Sequence, residues 1–204
     1  MSAWHLDFAL DDGFAGFVRL ELREAEKVAW YWTYLVGVPG VEGIVVVRDH
    51  EVPLPRQARA SLEIRADGLW AELWCETPGE HWTFGLEAFG VRLDTAEEAL
   101  RPGGEIGERV PVGLDLEWEA PDAGDDSEAT GGERSVESTH EGVVHGDVLV
   151  GRERWTIDAR GSFYEDGMLP APITGDVQAR VIIPGVAERA LVRTPDGLRW
   201  TSLG

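Results

Sequence analysis

Residues 60–93 read ASLEIRADGLWAELWCETPGEHWTFGLEAFGVRL, and this stretch decides the fold. Three extended runs, 60–66, 69–76 and 81–93, are separated by Asp67-Gly68 and Pro78-Gly79. An Asp-Gly pair flanked by extended residues is the strongest short-range signal for a β-hairpin. The same punctuation recurs outward in both directions, at Asp12-Gly13, Pro39-Gly40, Gly103-Gly104, Asp166-Gly167 and Asp196-Gly197. It sets off further strand-like runs at 14–22, 27–36, 43–48, 110–119, 137–150, 152–159, 176–183, 188–193 and 198–202. Many short strands at this spacing predict an all-β, antiparallel barrel, half-open barrel or sandwich in one domain spanning 1–204. One short helical turn is expected at 95–101, capped by Asp94 or Thr95 with Glu98 in its first turn, and stopped by Pro102-Gly103. The acidic, Gly-rich segment 121–136 has almost nothing to bury and is expected to be a mobile loop.

Of nine tryptophans in 204 residues, six, Trp30, Trp32, Trp70, Trp74, Trp82 and Trp118, fall in four of these runs. Side chains alternate along a strand, so Trp30, Trp32 and Tyr34 share one face of their run. By the same parity Trp70 and Trp74 share a face, as do Trp82 and Phe84, and Trp118 closes a fourth run. Each large ring buries on the order of 150–250 Å², so these rings are expected to line an interior, either as a filled core or as the wall of a ligand cavity.

Eighteen basic residues against 38 acidic ones give a net charge of −20, whose field repels phosphate and argues against a nucleic-acid partner or an anionic membrane surface. The first residues, MSAWHLDFALDD, do not read as a secretory leader, and no 18-residue apolar run occurs, so no membrane span is expected. Cys75 is the single cysteine, which excludes an internal disulfide and suits a reducing, cytoplasmic setting.

Glu72 lies between Trp70 and Trp74 with the same parity. If those rings point inward, the carboxyl points inward too, and desolvation would keep it protonated as an acid for an unsaturated substrate. Arg65, across the hairpin, offers the alternative of a structural ion pair. Asp49, His50 and Glu51 put a carboxylate beside an imidazole, which suits either acid–base work or a polar strand exit before the prolines at 53 and 55. Asp115, Glu117 and Glu119 alternate with Leu114, Leu116 and Trp118, the pattern of a half-buried strand whose acidic side is wet. No zinc-like spacing, nucleophile elbow, phosphate loop or dinucleotide turn occurs, so neither a metal nor a cofactor is expected.

Several phrases carry a family resemblance: AWYWTYLVG at 29–37, VVVRDHEVPLP at 45–55, ADGLWAELWCETP at 66–78, HWTFGLEAFGVRLD at 81–94, ERVPVGLDLEWEA at 108–120 and VVHGDVLVG at 143–151. Together they resemble the N-terminal lipocalin-like domain of bacterial proteins related to carotenoid 1,2-hydratases and AttH-type proteins, over about residues 28–160. Where those relatives carry an Arg-Asp-His-Ser/Ala-Trp-Gly stretch, residues 158–167 here read DARGSFYEDG, and the His-Trp element is absent. The resemblance implies a calycin-type barrel with an interior suited to lipids, terpenoids or polyketides. Three readings follow: a binder of an apolar small molecule, a cofactor-independent hydratase or cyclase acting through a buried carboxyl, and a structural module that forms a homodimer.

Overall fold

The computed structural model describes residues 2–55, 61–95, 98, 106–121, 140–165, 176–181, 189–194 and 197–202. These residues form thirteen antiparallel strands and no α-helix. In chain order the first ten are β1 (Ser2–Ala9), β2 (Ala15–Arg23), β3 (Val28–Val36), β4 (Ile44–Pro53), β5 (Ser61–Ala66), β6 (Leu69–Thr77), β7 (His81–Leu93), β8 (Glu108–Glu119), β9 (His140–Val150) and β10 (Glu153–Glu165). They make one sheet in the order β4-β3-β2-β1-β10-β9-β8-β7-β6-β5. Its closure is the pairing of β4 with β7, Ile44 to Leu93, Val45 to Arg92 and Val46 to Val91, which bends eight of the ten strands into a ring. The expected all-β antiparallel barrel is therefore present.

Two local features make the ring close. Strand β7 is long enough to serve two neighbours on one edge: residues 81–88 pair with β6 and residues 91–93 pair with β4, so the β5–β6 hairpin adds to β7 beside β4 with Leu62 and Ile64 in the same core. Gly90 sits at the fork, where a Cβ would come within 2.9 Å of the Val46 carbonyl oxygen and 3.1 Å of Val47 Cγ2. A side chain there would hold β4 off β7. Turn chemistry acts as the sequence suggests: the Asp12 carboxylate accepts from the Phe14 amide at 3.0 Å and Gly13 takes φ 91°, reversing the chain between β1 and β2.

Strand β1 is absent from the sequence-based series, although it pairs in register with both β2 and β10 and so carries the ring across its terminal strands. Strands β9 and β10, which follow the acidic segment, complete the large sheet. The runs after them do not join it: β11 (Asp176–Val181), β12 (Arg189–Thr194) and β13 (Gly197–Ser202) form a separate three-stranded sheet. At the expected helical turn the Glu98 amide donates to the Thr95 carbonyl at 3.2 Å and the Glu98 carboxylate accepts from the Asp94 amide. The rest of that turn lies outside the described residues, as does the acidic segment expected to be mobile, apart from Pro121. Among the described residues no helix is long and apolar enough to cross a membrane.

The barrel interior is one apolar cluster to which all ten strands contribute, including Leu6, Leu20, Val47, Leu86 and Ile157. A second cluster lies on the opposite side of the wall made by β2, β3, β4 and the end of β7, and holds Phe17, Trp32, Tyr34, Val46 and Leu93. Strand β3 is thus buried on both faces.

Candidate functional site

The aromatic residues singled out by the sequence separate onto two sides of the wall. Trp82, Phe84 and Trp118 point into the barrel, where Phe163 joins them with ring centroids 4.9 Å from Trp82, 5.8 Å from Phe84 and 5.2 Å from Trp118. Register explains the grouping, because Trp82 of β7 is directly opposite Trp118 of β8. Trp118 is 0% exposed, and Gly142 of β9 makes room for it: a Cβ at Gly142 would overlap both its indole and the Glu119 carbonyl. Trp82 is 6% exposed, and its Nε1 is buried with no hydrogen-bond partner. The Tyr31 hydroxyl does have a partner, with its Oη 2.9 Å from Thr33 Oγ1.

Trp30, Trp32 and Tyr34 do share a face, but it is the outer one, so they do not line a common interior with Trp82 and Trp118. The expectation of a single lining fails because β3 buries apolar residues of both parities, and the inward set is Ala29, Tyr31, Thr33 and Leu35. Trp70 and Trp74 also face outward. The inward residues of β6 are Leu69, Ala71 and Leu73, while Trp74 is 44% exposed and Trp70 lies across Gly85 with its Nε1 donating to Glu63 at 3.0 Å.

Glu72 stands on that same outer face, opposite Glu63 in register. Arg65 pairs with Glu63, not with Glu72, and this contact together with the Trp70 hydrogen bond holds the Glu63 carboxyl below its ordinary range. Parity placed Glu72 with Trp70 and Trp74 correctly. Those rings point outward, so the acid does not reach the barrel interior. Asp49 and His50 are likewise parted. A β-bulge sets His50 and Glu51 together against Trp30, so Asp49 keeps the face of Tyr31 while His50 turns outward onto Trp30. The Asp49 carboxylate accepts from the Glu51 amide at 2.8 Å, a local turn contact.

The outer wall of β1–β4 is where titratable and aromatic groups concentrate. His5, Arg19, Trp32 and Arg48 form one cross-strand row, with Glu21 and Trp30 in the next. Arg19 and Glu21 are 3% and 1% exposed and lie 3.2 Å apart, and Glu21 also takes a 2.6 Å contact from Arg23, which reaches on to Glu26. Burial lowers the Arg19 pKa and the Glu21 carboxylate opposes that shift. The Arg23 guanidinium caps Trp30 at 4.2 Å on one side, His50 stacks on Trp30 at 4.4 Å, and Trp32 meets His50 edge-on at 4.8 Å. A parallel tier stacks His5 on Phe17 and Phe17 on Tyr34. The period-2 spacing of Arg19, Glu21 and Arg23 in β2 is the sequence signal that places them on one face.

His50 is held down to about 4, first by burial and then by the Arg48 and Arg23 charges. Unfolded, it takes a proton near 6.5, so between these values the unfolded state binds more protons than the native one. The resulting stability is complete above about pH 6.5 and is lost as pH falls toward about 4, and buried His5, also lowered, adds in the same direction. A His50→Phe chain, whose ring keeps the stack, is expected to lose less of its urea midpoint than the native chain between about pH 7 and about pH 5. Equal losses would show that His50 titrates alike folded and unfolded.

One group of potential metal ligands occurs among the described residues, His81, Glu117 and Glu119 on the wall of β7 and β8. Glu117 and Glu119, with Asp115, are exposed as their alternation implied. Comparison of the chain with family models, with curated proteins and with solved structures gives no match in any of the three.

Proposed function

We propose that the barrel is a lipocalin-like binder of an apolar small molecule that carries an oxygen acceptor, of the lipid, terpenoid or polyketide type. The observation behind this reading is the Trp82 indole: a buried N–H donor inside the apolar interior with no hydrogen-bond partner. A buried donor left unmade costs about 1–3 kcal/mol, and a ligand carbonyl, hydroxyl or carboxyl oxygen would remove that penalty. Small closed barrels hold one such ligand or fill themselves with side chains. The hydratase or cyclase alternative loses Glu72 as its acid, since that residue is on the outer face, and Asp49, on the face of Tyr31, is the candidate that remains to it. A cis-parinaric acid titration tests the binder reading. Saturable quenching of tryptophan emission is expected, and Trp82→Phe, which keeps a ring and deletes the donor, should weaken the polyene's affinity roughly fivefold, the worth of one hydrogen bond of about 1 kcal/mol. Trp74→Ala, on the outer face, should leave it unchanged.

A second reading is favoured by the crowding around the interior glycines. A Cβ at Gly142 or at Gly161 would overlap the side chain of Trp118 or of Val144. A barrel packed this tightly throughout serves as a scaffold, and it would give no saturable quenching with any polyene.

A further inference from the structure

The outer wall shared by β6, β7 and β8 carries a constellation that spacing along the chain conceals. His81, the first residue of β7, is directly opposite Glu119 of β8, and Glu117 lies on the same face two residues away. One ligand atom from each of the three falls within 4.8 Å of the other two. Glu76, at the end of β6, approaches the far side of the imidazole, with its Oε2 3.2 Å from Nδ1. Nε2 is buried, makes no hydrogen bond, and faces Glu117 Oε2 at 3.9 Å.

A proton on Nδ1, the nitrogen that faces Glu76, leaves the imidazole lone pair on Nε2. Here that lone pair faces two further carboxylates, so three acceptors converge with no donor between them. A positive charge reconciles such a set, carried either by a second proton on the ring or by a cation bound at Nε2. An outer carboxylate that orients a histidine, whose other nitrogen meets a cation, is the standard support of a metal-ligating imidazole. We propose that His81, Glu117 and Glu119 bind a first-row divalent cation of the zinc type, with Glu76 as the positioning residue. The nitrogen ligand selects this class over magnesium and calcium, which prefer all-oxygen sets. Zinc holds nitrogen and oxygen at about 2.0–2.2 Å, so its ligand atoms stand roughly 3–4 Å apart. The exposed side chains of Glu117 and Glu119 close the remaining gap by rotation. Three protein ligands leave a position open to water.

The test is calorimetric titration of the full chain, carrying no histidine tag, with zinc chloride and separately with magnesium chloride. A single saturable zinc site is expected, with magnesium failing to compete. His81→Gln, and Glu117→Gln combined with Glu119→Gln, should each weaken zinc binding at least roughly tenfold, and Glu76→Gln about tenfold. These side chains are at the surface, so unchanged near-ultraviolet circular dichroism confirms that each variant is folded. The sole thiol provides the control: Cys75 belongs to the inward face of β6, and Cys75→Ser should retain the site. Absence of zinc binding by the native chain, unaltered affinity in His81→Gln, or loss of the signal in Cys75→Ser would each overturn the proposal.

Discussion

Replacing Glu21 with alanine is expected to lower the free energy of unfolding by about 3–5 kcal/mol, as for other broken buried ion pairs. Glu21 is 1% exposed and its carboxylate balances two guanidinium groups, Arg19 at 3.2 Å and Arg23 at 2.6 Å. Arg23 keeps Glu26, but Arg19 stays buried with its charge no longer offset by Glu21. Desolvation of that one charge decides the size of the effect. The companion experiment is the double replacement Arg19→Met with Glu21→Leu, which removes both charges and fills similar volume. It should recover most of the loss, because an apolar pair is often as stable as a buried ion pair or more so. Urea denaturation measures both. A loss below about 1 kcal/mol for Glu21→Ala would mean that water reaches this face, as it does at surface ion pairs.

Trp118→Ala is expected to cost about 3–5 kcal/mol, the range for emptying a core site of a large ring. The indole is fully buried, faces Trp82 across the β7–β8 ladder and packs against Phe163. The strands around it cannot collapse into the space, since they are bonded into a closed ring. Chemical denaturation followed by far-ultraviolet circular dichroism reads this directly. A loss near that of an exposed position such as Trp74→Ala would contradict the placement of Trp118 at the core.

The sequence made the strands legible and left their partners obscure, for reasons visible in particular residues. Turn pairs such as Asp12-Gly13 and Asp67-Gly68 report on their immediate neighbours, and the strands they delimit are present. Closure depends on Val46 meeting Val91, a long-range contact that no local pattern encodes. Gly90 marks the fork, but a glycine within a strand has several meanings. Strand β1 lacks a turn pair before it to set it off, although Leu6 and Phe8 alternate with His5 and Asp7 in the same period-2 pattern as the other strands.

Parity grouped the aromatic residues correctly and could not say which group is inside. In β3, Ala29, Tyr31 and Leu35 are as apolar as Trp30, Trp32 and Tyr34, so both faces qualify as core and both are buried. In β6 the larger rings suggested the inward face, yet Leu69, Ala71 and Leu73 take it and leave Trp70 and Trp74 outward with Glu72. The His81 group was out of reach for a different reason. Its members are 36 and 38 residues apart along the chain and meet only through the β7–β8 register.

The claim that the interior binds an oxygen-bearing apolar molecule at Trp82 is tested most directly by the indole N–H resonances in proton–nitrogen correlation spectra, with Trp82 assigned by its loss in Trp82→Phe. On titration with a long-chain fatty acid, the Trp82 Nε1–H signal should move downfield and saturate while that of Trp74, on the outer face, stays in place. A Trp82 signal that does not move at saturating fatty acid, or a response confined to Trp74, would contradict it.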